Sequence, residues 1–300
     1  MPTSPTLPGM ELNPLEFGFG LAASFAAGAC IGSFLNVCIY RWPLGMSTND
    51  PKRSRCFNCK QEIPWYDNLP IISWFLLGGK CRQCGASFSI RYSMVELLNA
   101  LLFLHIFWTF GLTAATAVYF LWAAMQVVGS FIDIDHTIIP DRITLTGTIL
   151  FPLLVIVLNL SGHSESLVVS DWRDALFGAA FASGFIYLIR FLGTIAFGRE
   201  AMGLGDVKLM AMNGALLGWW RSLFVIMGLG PALALLVVGV AWVISRKKME
   251  KFAEIPFGPY LCLGSYVALF WANSILEWWL GLDPGSTAHL DSLWRRVLGW

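Results

Sequence analysis

The chain has 300 residues, of which 56% are hydrophobic and only 13% charged, with a formal net charge of +1. A soluble domain carries about 25% charged residues because its surface faces water. This composition therefore excludes an ordinary soluble protein and makes lipid the solvent for most of the surface. The net charge points to no partner, and a nucleic-acid partner is not expected.

In chain order, the first 16 residues contain no Lys or Arg, so the basic region of a secretory signal is missing and the first apolar stretch is read as a retained helix. A helix needs about 20 apolar residues to cross a hydrocarbon core of ~30 Å. Stretches of that kind run over 17–40, 94–111, 114–132, 143–160, 175–197, 207–220, 222–244 and 258–281. The expectation is an all-α, polytopic membrane protein of about eight transmembrane helices. The sixth stretch is short and rich in Gly and Met. Most connections are short; the exceptions are a polar segment at 42–93, a loop at 161–173, a basic link at 245–256 and a tail at 282–300.

Charge tests this count. With eight spans, only Arg173, Arg221, Arg295 and Arg296 of the 20 basic residues fall on one side, and all the others fall on the opposite side. Basic residues collect in cytoplasmic loops, so both termini are expected to face away from the cytoplasm. The polar 42–93 loop is expected inside.

That loop holds four of the seven cysteines, Cys56, Cys59, Cys81 and Cys84, as two CxxC knuckles separated by 21 residues. Cys30, Cys38 and Cys262 lie in apolar stretches, where a thiol behaves as a small hydrophobe. Two knuckles complete a closed tetrahedral Cys₄ site for Zn²⁺, structural because no coordination position is open. The loop is too short for a large core, so the metal would supply its folding energy. Lys60, Lys80 and Arg82 are expected to favour the thiolate form. The competing reading is a pair of redox-active CxxC motifs.

Residues 131–143 contain Asp133, Asp135, His136, Pro140 and Asp141 at the end of the third span. An ionisable side chain there is a functional candidate. Asp133 and Asp135 lie about 200° apart on a helix, so one faces the interior and the other the interface; Asp135 and His136 are read as a solvated turn. Asp141 is read as a helix-start residue. Residues 203–208, Gly-Leu-Gly-Asp-Val-Lys, open the short sixth span. Asp206 there has a plain reading as a helix cap, but Gly203 and Gly205 before it permit close approach and unusual dihedrals, a hinge that capping does not require. The topology brings Asp133 and Asp206 to one membrane level. Two adjacent carboxylates titrate as a pair and can divide acid and base roles, one activating water while the other protonates a scissile carbonyl. His105, His136, His163 and His289 are scattered and form no ligand-spaced pair.

These residues resemble the type IV prepilin leader peptidases, a family of GxGD membrane aspartyl proteases that also N-methylate their product. The resemblance covers roughly 28–270. It rests on Gly32-Ser33-Phe34-Leu35-Asn36-Val37 with Tyr40-Arg41, on the double CxxC loop with Asn68-Leu69-Pro70, and on Arg91-Tyr92 with Val95-Glu96. It continues through Asp133 to Asp141, Glu200 to Lys208, and Pro256-Phe257-Gly258-Pro259. Ala201 and Trp42 depart from the usual pattern, and the 161–173 loop looks longer.

The resemblance implies that Asp133 and Asp206 are catalytic, supported by Gly203, Gly205 and Lys208. It implies cleavage of the basic leader from prepilins and type II secretion pseudopilins after a Gly. The new N-terminal residue, usually Phe, would be methylated from S-adenosylmethionine. It further implies a bacterial inner-membrane location with the site near the cytoplasmic face. The first two spans with their loop (17–111) would serve methylation, and 114–281 would form the peptidase. Glu96 and Arg91 are candidates for the methylation half, although no glycine-rich signature marks a methyl-donor pocket. For Lys208, orienting Asp206, countering the pair's charge and snorkelling to the surface all stand open. The rivals are a transporter with an aspartate proton relay, which inverted repeats would favour and none is visible, and a zinc-anchored scaffold, which leaves the Gly-Leu-Gly-Asp segment unexplained.

Overall fold

The computed structural model describes residues 13–50, 53–200, 202–245, 256–287, 289–290 and 293–298. Ala201 lies outside the described residues, as do Lys52, Arg246, Lys247, Lys248 and Lys251, five of the basic residues in the charge count. The described residues are helical, with no strand beyond two isolated bridges. The elements are α1 (Pro14–Arg41), α2 (Ile72–Leu76), α3 (Arg91–Phe110), α4 (Ala114–His136), α5 (Asp141–Leu160), α6 (Trp172–Phe197), α7 (Leu204–Phe224), α8 (Gly230–Ser245), α9 (Gly258–Leu280) and α10 (Leu293–Leu298). They divide into two compact units, Met1–Val128 and Gly129–Trp300.

In the first unit, α1 starts on a reciprocal cap. Asn13 accepts the Glu16 N–H at 2.9 Å, and Glu16 accepts the Asn13 N–H at 3.0 Å, which satisfies two donors that a helix start otherwise leaves open. Pro14 occupies the first helical position, where its missing N–H does no harm. Helix α3 runs antiparallel to α1. A Cβ on Gly28 would lie 2.7 Å from Ala100 Cα, and one on Gly32 would lie 2.7 Å from Glu96 Cα. Lipid gives helices no hydrophobic reason to associate, so small residues one turn apart let backbones approach and pack. The buried Asn99 amide donates to the Gly28 carbonyl at 2.7 Å and ties the two helices together. Phe103 of α3 stacks on Phe120 of α4 at 4.0 Å.

The second unit is built around α7. Gly178 on α6 and Gly214 on α7 back onto each other; a Cβ on Gly178 would lie 2.9 Å from Gly218 Cα and overlap the Gly214 carbonyl. Seven helical stretches among the described residues are long and apolar enough to cross a membrane, and the sixth of them runs from Leu204 to Val240. That stretch contains the two spans read from the sequence at 207–220 and 222–244. It is not straight. Asn213 donates to Ser265 at 2.9 Å, while Val225 packs where a Cβ on neighbouring Gly264 would be, 3.2 Å away. A continuous helix would separate residues 213 and 225 by about 18 Å, so the chain must reverse between them. It does so at Gly218, whose φ of 78° and ψ of 177° break the helix, a conformation open to glycine. The carbonyls released there are met by protein: Ser222 Oγ donates to the Gly218 oxygen at 2.7 Å and Arg221 to the Leu217 oxygen at 3.4 Å. A π-helical turn at Val225–Leu229 then leads into α8.

Arg221, expected in a loop, is buried instead, bonded to Asn273 at 3.0 Å and stacked 4.6 Å over Trp220. The tail folds back as well. Glu277 accepts from the Gly285 N–H, the Thr287 N–H and the Thr287 hydroxyl at 2.6–3.1 Å, and Trp219 donates to Leu290. In the 161–173 loop, Leu167 and Val169 are buried.

Replacing Gly178 or Gly214 by Leu should lower the thermal unfolding midpoint of the detergent-purified protein by several degrees, since overpacking costs about 1–3 kcal/mol. Gly184→Leu on the same helix, where a Cβ would meet nothing within 4 Å, should leave the midpoint unchanged.

Candidate functional site

The four knuckle cysteines converge. Their sulfurs all lie within 4.8 Å of one another, a group able to hold a metal ion, and Cys56 Sγ is 3.6 Å from Cys84 Sγ. The two knuckles are built alike. The Cys56 N–H donates to the Gln61 carbonyl and the Lys60 N–H to the Cys56 carbonyl, each at 3.0 Å. The Cys81 N–H donates to the Ala86 carbonyl at 2.8 Å and the Gly85 N–H to the Cys81 carbonyl at 2.9 Å. The residue after each second cysteine turns left-handed, Lys60 at φ 61° and Gly85 at φ 70°. Each knuckle is closed by one antiparallel bridge, Arg55 to Glu62 and Lys80 to Ser87.

The basic residues do not act as expected. Arg82 is engaged by Asp67, Nη2 to Oδ1 at 2.6 Å and Nε to Oδ2 at 2.8 Å, and this holds the Asp67 carboxyl below the usual carboxylate range. The backbone favours the thiolate instead. The Ala86 N–H, followed by hydrogen bonds from Cys56, Cys81 and Asn58, outweighs desolvation and pulls the Cys84 thiol down to about 6. At Cys59 the Gln61 N–H pulls the same way, but desolvation and the neighbouring thiols together push it up to about 11.

The second cluster lies in the Gly129–Trp300 unit. Helix α4 continues to His136, so Asp133 and Asp135 are both helical and face apart. Asp133 is 5% exposed, while Asp135 is exposed. The Gly258 N–H, at the start of α9, donates to Asp133 Oδ2 at 3.0 Å. Asp206, 8% exposed, stands in the first turn of α7. It does not cap that helix: the cap residue is Gly203, with no side-chain cap bond. Asp133 is the charged neighbour whose field reaches Asp206, and the fields of both reach Cys262.

Ile139 organises the cluster. A Cβ on Gly205 would lie 3.2 Å from Ile139 Cβ, and one on Gly258 would lie 2.9 Å from Ile139 Cδ1 and 2.8 Å from Asp133 Oδ2. Gly203 is extended, with φ of −69°, and Gly205 is helical. Gly205 thus provides close approach, and neither glycine shows the unusual dihedrals expected of a hinge. Lys208 Nζ pairs with the exposed Asp141 carboxylate at 2.6 Å. Sequence reasoning had placed Gly258 in a motif without seeing that its N–H holds Asp133. The one signal was a glycine between Phe257 and Pro259 at a helix start, where N–H groups have no helical partner.

Fold and site together define a polytopic membrane protein with a paired-carboxylate centre and a separate four-thiol centre. Residues 26–110 match the bacterial peptidase A24 N-terminal domain, and residues 117–244 match the type IV leader peptidase family. The chain is 34% identical over 302 residues to a prepilin leader peptidase/N-methyltransferase of Pseudomonas aeruginosa, covering 92% of this chain and 98% of that protein. A protein of the same description from Stutzerimonas stutzeri is 34% identical over 289 residues, covering 88% and 93%. One from Aeromonas hydrophila is 34% identical over 296 residues, covering 89% and 97%. No solved structure matches the chain. The chain belongs to the type IV leader peptidase family.

Proposed function

We propose that this chain is a membrane aspartyl endopeptidase that removes the basic leader from type IV prepilins and type II secretion pseudopilins, then N-methylates the new terminal residue, usually Phe, from S-adenosylmethionine. The observation that carries this reading is the pair of buried carboxylates, Asp133 and Asp206, carried at the ends of two helices whose neighbouring glycines, Gly258 and Gly205, both pack on Ile139. Paired carboxylates share a proton and titrate together. One takes a proton from water as it attacks the scissile carbonyl, and the other gives its proton to the carbonyl oxygen. The Gly258 N–H fixes the rotamer of Asp133, and Ile139 with its two facing glycines sets the approach of the helices. Gly203, Gly205 and Lys208 are supporting residues, Lys208 through its pair with Asp141.

Location in the bacterial inner membrane, with the aspartates near the cytoplasmic face, is supported by the apolar helices and by the clustering of basic residues on one side. A substrate whose basic leader stays in the cytoplasm ahead of an apolar helix presents its scissile bond at that depth. We assign 17–111 to methylation, 114–281 to peptide cleavage, and 282–300 to a tail. The four thiols suit a structural Zn²⁺: four soft ligands, two near-identical knuckles and no open position.

Asp133→Asn and Asp206→Asn should each abolish leader cleavage, and the double variant should be no worse than either, since residues acting as one unit are not additive. Asp135→Asn should keep substantial activity. The folded Asp206→Asn protein should still methylate a pre-cleaved pilin, read by mass spectrometry of the pilin amino terminus; loss of that activity would mean that one site performs both steps.

Metal analysis of the purified protein should find about one zinc per chain. Serine at Cys56 or Cys81 should lose the metal, and methylation should fail before cleavage. Full zinc retention in the quadruple serine variant would rule out this site.

A further inference from the structure

The polar loop at 42–93 holds the short helix α2, whose sides are reversed for a helix in water. Ser73 is buried, while Ile72, Phe75 and Leu76 are exposed, Phe75 by 64% and Leu76 by 77%. Residues three and four apart share a helix face, so these three side chains form one outward apolar patch. The 3₁₀ turn at Trp65–Asp67 also leaves Trp65 78% exposed. A single exposed apolar residue is ordinary. A contiguous group of them marks a surface that meets protein or lipid.

Helix α2 is fastened at both ends to the start of α3. The Ile71 N–H donates to Glu96 Oε2 of α3 at 2.7 Å. Ile71 has a φ of 63°, a conformation that a β-branched residue keeps only where its surroundings enforce it. Further on, Trp74 Nε1 donates to the Phe88 carbonyl at 3.2 Å, and the Phe88 N–H donates to the Gly79 carbonyl at 2.7 Å. Phe88 stands just ahead of Arg91, where α3 begins. The Trp65 turn is joined to the same helix, because Ser73 Oγ donates to the Tyr66 carbonyl at 3.3 Å.

These bonds set the depth of α2. Helix α3 has 20 residues and is therefore about 30 Å long, just enough to cover a hydrocarbon core of ~30 Å. Its start marks one edge of that core. Glu96 lies about 7.5 Å along the axis from Arg91, and helical side chains lean back towards the helix N-terminus. Its carboxyl thus sits close to the edge, and α2 begins there, between acyl chains and headgroups. At this level α3 itself exposes Met94, Leu97 and Leu98, so lipid is already the neighbour of the helix pair. Trp is at home in the same zone, with its ring apolar and its N–H polar.

We propose that α2 is an interfacial helix whose Ile72, Phe75 and Leu76 face docks into the boundary of the lipid bilayer, so that the thiol loop lies on the membrane and does not stand off in water. A small amphipathic helix binds a membrane weakly by itself, because binding scales with the apolar area buried. Here α1 and α3 hold it at the surface already. The bilayer in turn presses α2 against the start of α3 and holds the loop in place.

The test uses the full-length protein in nanodiscs of phosphatidylethanolamine and phosphatidylglycerol. The photo-cross-linker p-benzoylphenylalanine replaces one residue at a time: Phe75, Leu76, Met94 or Gln83. Met94 reports a lipid-facing position on the span, and Gln83, exposed between the second pair of cysteines, reports the loop away from α2. After irradiation, mass spectrometry should find phospholipid adducts at Phe75 and Leu76 within about threefold of Met94 and at least about tenfold above Gln83. Yields at Phe75 and Leu76 no higher than at Gln83 would overturn the proposal. So would cross-links there to a second copy of the chain, or to added prepilin, in place of lipid. The thermal unfolding midpoint reports whether each variant is folded, and either position decides if the other is not. If both fail to fold, the unmodified protein with a photoactivatable phosphatidylglycerol decides: adducts concentrated in 72–76 support the docking, and none there overturns it.

Discussion

Close approach between helix backbones is the constraint on which both units depend. In lipid, helices gain nothing by hiding apolar side chains from one another, so packing must come from surfaces that fit. Gly28 and Gly32 let α1 lie against α3, and Gly178 and Gly214 do the same for α6 and α7. The carboxylate pair is a product of this packing. Gly205 and Gly258 both press on Ile139, so one isoleucine side chain fixes where α7 and α9 begin. Asp206 and the N–H that holds Asp133 are carried to their places by those two helix starts.

The parts legible in the sequence were those set by local pattern. Apolar runs located the helices to within a few residues, apart from the segment after Gly218. Helical periodicity separated the buried Asp133 from the exposed Asp135. The CxxC spacing found the four sulfurs. Each of these depends on residues close together in the chain. The misassigned charges all depend on partners far away. Lys208 was read with Asp206, two residues off, yet its partner is Asp141. Arg82 was read with the adjacent thiols, yet its partner is Asp67. Arg221 was placed in a loop because no sequence rule announces Asn273, 52 residues further along the chain, as its partner.

The two knuckles show how a site can be specified almost wholly by backbone. Their hydrogen bonds are the same in pattern, and both require a left-handed residue after the second cysteine. One copy uses glycine, which takes that conformation freely, and the other uses Lys60, which does not. At Cys56 and Cys84 the thiolate is favoured by amide N–H groups, not by the nearby cationic side chains. Such stabilisation is invisible to a count of charges, because every residue type except proline carries the same donor.

The reversal at Gly218 has a consequence for how the protein sits in its bilayer. The helical run from 204 to 217 is only about 21 Å long, against a hydrocarbon core of ~30 Å. The turn therefore lies within the depth of the lipid tails, where irregular backbone survives only when protein surrounds it. Arg221 and Ser222 contribute to that surrounding by donating to the Leu217 and Gly218 carbonyls. A short pass responds to bilayer thickness: a thicker membrane draws it inward or thins around it, at fractions of a kcal/mol per Å. Asp206 rides on that pass, so the depth of its carboxyl in the bilayer is set partly by the lipids around it.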